Sequence, residues 1–134
     1  MKVVVDTNLF VSSFFGGNPR KIIDLWKAGE ITLCFSAAIV DEYTAVLKRL
    51  GLEREPEFGE LLDLFARGYH VLFAAETPAL KVVLADPADD KFIECAVALQ
   101  ATAIITGDKA LKTNKNYMGI AIFSPREFLN QFQR

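Results

Sequence analysis

The sequence predicts a single α/β domain over residues 1–134, a three-layer sandwich in which helices flank a mostly parallel central sheet of four to five strands. Short apolar runs rich in β-branched residues, such as residues 3–5 and 101–106, are typical of strands buried on both faces. Segments with a 3.6-residue apolar period separate these runs. Strands that alternate with helices in this way favour parallel pairing.

The composition is that of a globular protein, with 51% hydrophobic and 24% charged residues. A formal net charge of −2 argues against a protein that coats nucleic acid through its overall field. Cys34 and Cys95 lack metal-ligand spacing, and the single histidine, His70, excludes a His-rich zinc site. Asp6 and Asn8 interrupt any signal-peptide core, and no apolar run is long enough to span a membrane. We therefore expect a cytoplasmic protein without membrane association.

Capping residues and apolar periodicity place the individual elements. Asn18-Pro19 indicates a helix start, because Asn is a good N-cap and Pro is favoured at the first helical position. Ser124 and Glu127 form a capping box before the last helix. After the opening strand, we predict helices over residues 18–29, 36–50, 56–67 and 91–99 and from residue 125 onward, and strands over residues 31–35, 69–74, 101–106 and 120–123. Residues 77–85 stay ambiguous between extended and irregular structure.

Aspartates stand at the ends of two predicted strands. Asp6 directly follows residues 3–5, and Asp108 follows residues 101–106 after one glycine. In open α/β sheets, ligands bind outside the carboxyl ends of the strands. If these two strands are neighbours, Asp6 and Asp108 share one edge of the sheet.

Periodicity selects one acid of the second predicted helix. At about 100° per residue, Glu42 lies about 60° from Ile39, on the margin of the apolar stripe, whereas Asp41 faces solvent. A glutamate on that margin is either a surface residue covering apolar atoms or a member of a site. We predict that Glu42 belongs to the site.

The densest acidic cluster is residues 86–90. Acids at a helix start are often caps and dipole partners, but three aspartates within five residues exceed what capping needs. We predict that Asp89 caps the helix and that Asp90 points into the site from the first turn. Asp86 is a second candidate for the same role.

These positions predict a carboxylate site made of Asp6, Glu42, Asp90 and Asp108. At about 5 Å and an effective dielectric constant near 20, each pair of ionised carboxylates costs roughly 3 kcal/mol, so such a cluster persists for function, usually by holding a cation. All-oxygen ligands suit Mg²⁺ or Mn²⁺. Because the chain offers no serine triad or reactive cysteine, water is the nucleophile, which fits metal-assisted phosphodiester hydrolysis. The lysines that follow the last strand-end aspartate can receive phosphate, namely Lys109, Lys112 and Lys115.

The segments VVVDTNLFVSS, SAAIVDEYTAVL, DPADDKFIECA and AIITGDKAL, in this order, resemble the PIN-domain nuclease family. The nearest branch is the toxin components of toxin–antitoxin pairs, related to VapC, and the resemblance extends to the final FSPREFL segment. Four acidic blocks in the right order make it specific.

The resemblance implies metal-binding and catalytic roles for Asp6, Glu42, Asp90 and Asp108, with Asn8 or Thr106 as supporting polar groups. It also implies a parallel sheet flanked by helices, dependence on Mg²⁺ or Mn²⁺, and cleavage of RNA. A homodimer and inhibition by a small antitoxin protein are further expectations of the family. The acidic redundancy of residues 86–90 leaves the third ligand open among Asp86, Asp89 and Asp90.

Two other functions are compatible with parts of the pattern. A catalytically silent PIN-like module would bind RNA or a protein through the same fold, although the presence of all four acids argues against a degenerate site. A small phosphohydrolase or a receiver-type phosphoacceptor domain needs a different arrangement. Receivers carry an acidic pair after the first strand and an aspartate after the third, whereas Asp6 is followed by Thr7 and Asn8 and residues 71–75 contain no acid.

Overall fold

The computed structural model describes residues 1–132, and its central feature is a six-stranded sheet. Its strands are β1 (Lys2–Val5), β2 (Thr32–Ser36), β3 (Val71–Ala74), β4 (Ala103–Ile105), β5 (Asn116–Tyr117) and β6 (Ile120–Phe123). They lie in the order β3-β2-β1-β4-β6-β5, and every pairing is parallel except that of β5 with β6. The mostly parallel sheet is confirmed. Six strands are present instead of four to five, because β5 spans two residues and is too short to leave a sequence pattern.

Seven helices connect or follow these strands within residues 1–132. They are α1 (Thr7–Ser12), α2 (Gly17–Lys27), α3 (Ala37–Arg49), α4 (Pro56–Ala66), α5 (Asp90–Leu99), α6 (Lys109–Lys112) and α7 (Pro125–Phe132). Short 3₁₀ helices cover Ser13–Phe15, Leu52–Arg54 and Pro87–Asp89. None of the helices in the described part of the chain is long and apolar enough to cross a bilayer.

Helices cover both faces of the sheet. Helix α5 lies against β1, β2, β3 and β4, whereas α1 contacts α2 and α3, and α2 contacts α7. The chain runs outward from β1 to β3 and then returns past β1 to β4, so right-handed crossovers place α5 and the helices after β1 on opposite faces. The central strand is accordingly buried on both sides, with Val3, Val4 and Val5 at most 1% exposed.

Of the predicted caps, the box of Ser124 and Glu127 is confirmed, whereas Asn18 is not the N-cap of α2 and Asp89 makes no side-chain capping bond to α5. Ser36 Oγ accepts a hydrogen bond from the Ile39 amide at the start of α3. Ser124 and Glu127 exchange backbone and side-chain hydrogen bonds of 2.9 and 3.1 Å at the start of α7. Helix α2 instead begins at Gly17, so Asn18 lies inside its first turn and not at the N-cap. Residues 77–83 contain neither helix nor strand.

Candidate active site

Strands β1 and β4 lie side by side at the point where the strand order reverses. Ligands of open α/β sheets bind at the carboxyl ends of the strands at such a switch point. Asp6 follows β1 and Asp108 follows β4 within three residues, so both strand-end aspartates stand there. The edge predicted from the sequence is therefore the edge on which the fold brings them together.

Asp6 is held in a fixed position, with only 3% of its surface exposed. Its Oδ1 accepts a hydrogen bond of 2.8 Å from the Leu9 amide, which caps α1, and its Oδ2 accepts one from the Thr106 hydroxyl. Burial raises the pKa of Asp6, and the two hydrogen bonds oppose that rise. The negative charges of Asp108 and Glu42 raise the pKa further.

Thr106 connects the two strand-end acids. While its hydroxyl donates to Asp6, its oxygen accepts a 2.9 Å hydrogen bond from the Asp108 amide. Asp108 uses Oδ1 to cap α6 by accepting from the Ala110 amide at 2.8 Å. Because Thr106 is completely buried, this connection is fixed by the core.

Two further carboxyl groups join Asp108 in the densest part of the site. One oxygen each of Asp86, Asp89 and Asp108 lie within 4.8 Å of one another. Asp86 and Asp89 reach this position because the 3₁₀ turn Pro87–Asp89 places both at the start of α5. Oδ2 of Asp89 is buried and has no hydrogen-bond partner among the described residues.

The electrostatics of Asp89 reflect this crowding. Burial raises the pKa of Asp89 to about 7, and the contact with the carboxyl group of Asp108 adds to the rise. The negative charges of Asp108, Asp86 and Asp6 act in the same direction. Near neutral pH this carboxyl group is therefore partly protonated, and a nearby cation would favour its ionised form.

Glu42 approaches from α3 on the other side. Its Oε2 accepts a hydrogen bond from the Thr7 hydroxyl, and its Oε1 lies 2.6 Å from Lys91 Nζ. The Glu42 and Lys91 side chains are 31% and 20% exposed, so the ion pair is only partly screened by solvent. Glu42 is half-buried, at the margin of the apolar face of α3 where the periodicity places it.

Asp90 does not point into the site as expected. Its Oδ1 accepts hydrogen bonds from the amides of Val82 and Val83 at 3.0 and 2.8 Å. Glu94, one turn later, accepts from the Leu80 amide at 2.8 Å, so both acids bind the segment before the helix. The expected geometry is reversed, since Asp89 faces the site without a side-chain cap bond.

These side chains surround a cavity of about 360 Å³, which we call the acid cleft. Five acids and an amide contribute to its wall, namely Asp6, Glu42, Asp86, Asp89, Asp108 and Asn8. The remaining wall includes Arg49, from the end of α3. Lys109 and Lys112 do not border the acid cleft, and Lys112 lies 3.0 Å from Glu127. Their predicted role in holding phosphate stays a prediction.

A sequence profile of the PIN domain family matches residues 2–110. The chain belongs to the PIN domain family. An uncharacterised protein of Methanocaldococcus jannaschii, MJ1680, is 31% identical over 154 aligned positions, which cover 100% of this chain and 93% of that protein. The family resemblance inferred from the acidic motifs is therefore confirmed.

Solved structures share the fold of this PIN domain. PAE2754 from Pyrobaculum aerophilum is similar with a TM-score of 0.58 and 16% identity, covering 100% of this chain and 91% of that one. VapBC2 from Rickettsia felis, bound to a DNA fragment from their promoter, has a TM-score of 0.54 and 14% identity, covering 91% of this chain and 97% of that one. At these identities the similarity concerns the fold alone.

The donor set of the PIN domain fits a hard divalent cation. All the candidate ligand atoms are carboxylate oxygens, as Mg²⁺ and Mn²⁺ prefer, and neither buried cysteine borders the acid cleft. Buried polar atoms are normally hydrogen-bonded, so the buried Oδ2 of Asp89, which has no partner among the described residues, is a candidate ligand atom. Asp86 and Asp108 each place a carboxylate oxygen within 4.8 Å of a carboxylate oxygen of Asp89, so these three residues could hold such an ion together.

A change at Asp90 tests its structural role in the PIN domain. We expect Asp90→Ala to lower the free energy of unfolding by about 1–3 kcal/mol, because two backbone amides lose their acceptor. Asp90→Asn keeps an oxygen that can accept these hydrogen bonds, so it should lower the free energy of unfolding by less than Asp90→Ala. Urea unfolding in EDTA measures both. Equal stability of Asp90→Ala and the unsubstituted protein would show that the two hydrogen bonds do not hold the segment.

A second prediction concerns pH and Asp89. The pKa of Asp89 is about 7 in the folded chain, against an ordinary value of 3.8, so the folded state binds more protons between these values. This contribution to the free energy of unfolding is therefore present at low pH and lost as pH rises toward 7. We expect the free energy of unfolding of Asp89→Asn, compared with that of the unsubstituted metal-free protein, to increase from pH 5 to pH 8.

Urea unfolding at the two pH values measures this gain, with Asp41→Asn as the control. Asp41 is an exposed acid of α3 and lies outside the acid cleft. A stability difference for Asp89→Asn that is the same at pH 5 and pH 8 would contradict the assignment of a raised pKa to Asp89.

Proposed function

We propose that this PIN domain is a divalent-metal-dependent endoribonuclease that hydrolyses phosphodiester bonds of RNA in the acid cleft. The observation that carries the proposal is the convergence of five carboxyl groups at the switch point of the sheet, one of them with a buried, unpartnered oxygen. Mutual repulsion makes this arrangement unfavourable by itself, which supports a role in holding cations.

Each acid has a distinct part in this proposal. Asp86, Asp89 and Asp108 would hold Mg²⁺ or Mn²⁺, while Asp6 and Glu42 extend the negative wall toward the substrate. A bound divalent cation supplies Lewis acidity, which lowers the pKa of a water molecule and offsets charge on the phosphate. The role expected of Asp90 from the sequence passes to Asp89.

Thr106 and Asn8 support the acids in different ways. The Thr106 hydroxyl binds Asp6 and receives the Asp108 amide, so it keeps these two carboxyl groups at a fixed separation. Asn8 borders the acid cleft with an exposed side chain, where its amide can donate to a phosphate oxygen.

Water is the nucleophile in this proposal, because no cysteine, serine or histidine is among the described residues that line the acid cleft. Burial raises the pKa of Cys34 to about 11 and that of Cys95 to about 12, so both thiols stay protonated at neutral pH. His70 immediately precedes β3, at the amino edge of the sheet and therefore opposite the acid cleft.

The biological role belongs to the same proposal. The motif resemblance to VapC-related proteins supports a toxin that a small antitoxin protein inhibits, and the fold similarity to VapBC2 of Rickettsia felis agrees with it. Metal-assisted attack does not use the 2′-hydroxyl group, so the preference for RNA rests on the resemblance. A homodimer and a cytoplasmic location stay predictions.

Two adjacent aspartates provide a matched test of the site. We expect Asp89→Asn to reduce metal-dependent cleavage of labelled single-stranded RNA at least about 100-fold, since a catalytic cation supplies several kcal/mol of transition-state stabilisation. Asp90→Asn removes the same charge one residue away, outside the acid cleft, and should retain activity within a few-fold. Cleavage is measured with Mg²⁺, with Mn²⁺ and with EDTA.

The other outcomes are equally informative. Cleavage shared equally by the unsubstituted protein and Asp89→Asn would indicate a contaminating ribonuclease or a different site. Loss in Asp90→Asn with retention in Asp89→Asn would restore Asp90 as the ligand. No cleavage in any condition, with RNA still bound, would favour the catalytically silent binding module.

A further inference from the structure

The acid cleft continues beyond the acids along α3. Glu42, Ala45, Val46 and Arg49 all border it, and their spacing of three, four and seven residues places them on one face of the helix. Arg49 is the last residue of α3, so it stands at the far end of this wall. One cavity therefore has carboxylates at one end and a guanidinium group at the other.

Arg49 is available to bind a ligand. It is exposed, and none of the ion pairs within residues 1–132 involves it. Basic residues in the last turn of a helix often do no more than complement the helix dipole, as Lys48 next to it can. Arg49 differs from Lys48 because it borders the acid cleft and Lys48 does not.

The spacing along α3 separates the acidic end of this wall from its basic end. Seven residues at 1.5 Å each put the backbone of Arg49 about 10 Å along α3 from that of Glu42, and the two side chains form no ion pair, so they present two separate groups to a ligand. The wall between them is formed by the small side chain of Ala45 and the apolar Val46, and it can pack against a sugar. Such a groove fits a continuous strand that carries one phosphate at each end.

We propose that Arg49 binds a phosphate of single-stranded RNA next to the one that is cleaved, an inference that rests on the proposed function. Its guanidinium group can donate two parallel hydrogen bonds to phosphate oxygens, a geometry that lysine cannot reproduce. The subsite compensates for the five acids that surround the cleavage site, because it attracts the substrate at a distance from them. Arg49 is thus a substrate-binding residue and not a metal ligand.

The length of the substrate tests this subsite. A dinucleotide has a single bridging phosphate and cannot occupy both ends of the groove, whereas an oligonucleotide can. We expect Arg49→Gln to lower kcat/KM about 5- to 20-fold on a single-stranded oligoribonucleotide, mainly through KM, and to leave the dinucleotide unchanged. Lys48→Gln removes the same charge from the neighbouring residue and should affect neither substrate. The kcat/KM of Arg49→Lys on the oligonucleotide should lie between those of Arg49→Gln and the unsubstituted protein.

Salt dependence provides an independent measurement. One lost phosphate contact on a single strand reduces the slope of log(kcat/KM) against log[salt] by about 0.7. Arg49→Gln should show this reduction and Lys48→Gln should not. Equal oligonucleotide cleavage by Arg49→Gln and Lys48→Gln would overturn the subsite while leaving the nuclease in place. The same would follow if Arg49→Gln lowered kcat/KM for the dinucleotide as much as for the oligonucleotide.

If the protein cleaves no RNA, the subsite is still tested by equilibrium binding of the same oligonucleotide in Mg²⁺. Weaker binding by Arg49→Gln than by Lys48→Gln would then support the subsite although the nuclease proposal fails. Unchanged or absent binding in every variant would overturn the subsite as well.

Discussion

The structure depends on a carboxyl group placed where a fully buried strand ends. Asp6 continues β1, whose valines are covered on both faces, and it remains almost completely inside the protein. The Leu9 amide and the Thr106 hydroxyl offset its burial, and each of these contacts connects Asp6 to another element. Through them, one residue starts α1 and fixes the end of β1 relative to the end of β4.

The acids around the cleft differ in how many hydrogen bonds or ion pairs offset their negative charge. Asp6 and Asp108 each cap a helix, and Glu42 contacts a hydroxyl group and a lysine. Asp89 has an unpartnered buried oxygen and faces other carboxyl groups. Three of the five cleft acids therefore have structural contacts as well as a place in the site. The least compensated carboxyl group is Asp89, whose pKa is raised by burial and by the neighbouring acids.

Much of this arrangement follows from the sequence by simple physical reasoning. Strand-end position places Asp6 and Asp108 at one edge of the sheet, and helical periodicity places Glu42 at the margin of the buried face of α3. Both signals are readable because they depend on regular elements. The assignment of Asp89 and Asp90 depends on a 3₁₀ turn before α5, and a shift of one residue there rotates a side chain by about 100°. Helical spacing does contain a partial signal that Asp90 faces away from the cleft. Asp90 and Glu94 share a face, as residues four apart do, and both bind the segment before the helix.

The charge of the chain also constrains how a nucleic acid could reach this site. With a net charge of −2 and five acids in the cleft, the overall field does not attract a polyanion. Under the proposed function, attraction would come from local groups, namely a cation held among the acids and the exposed side chain of Arg49 at the other end of the groove. Since a cation that favours phosphate binding must itself be bound more tightly when phosphate is present, the two affinities are coupled and reciprocal. Under the proposed function, the cleft would therefore bind its substrate and its metal together, and RNA would bind only weakly in the absence of the metal.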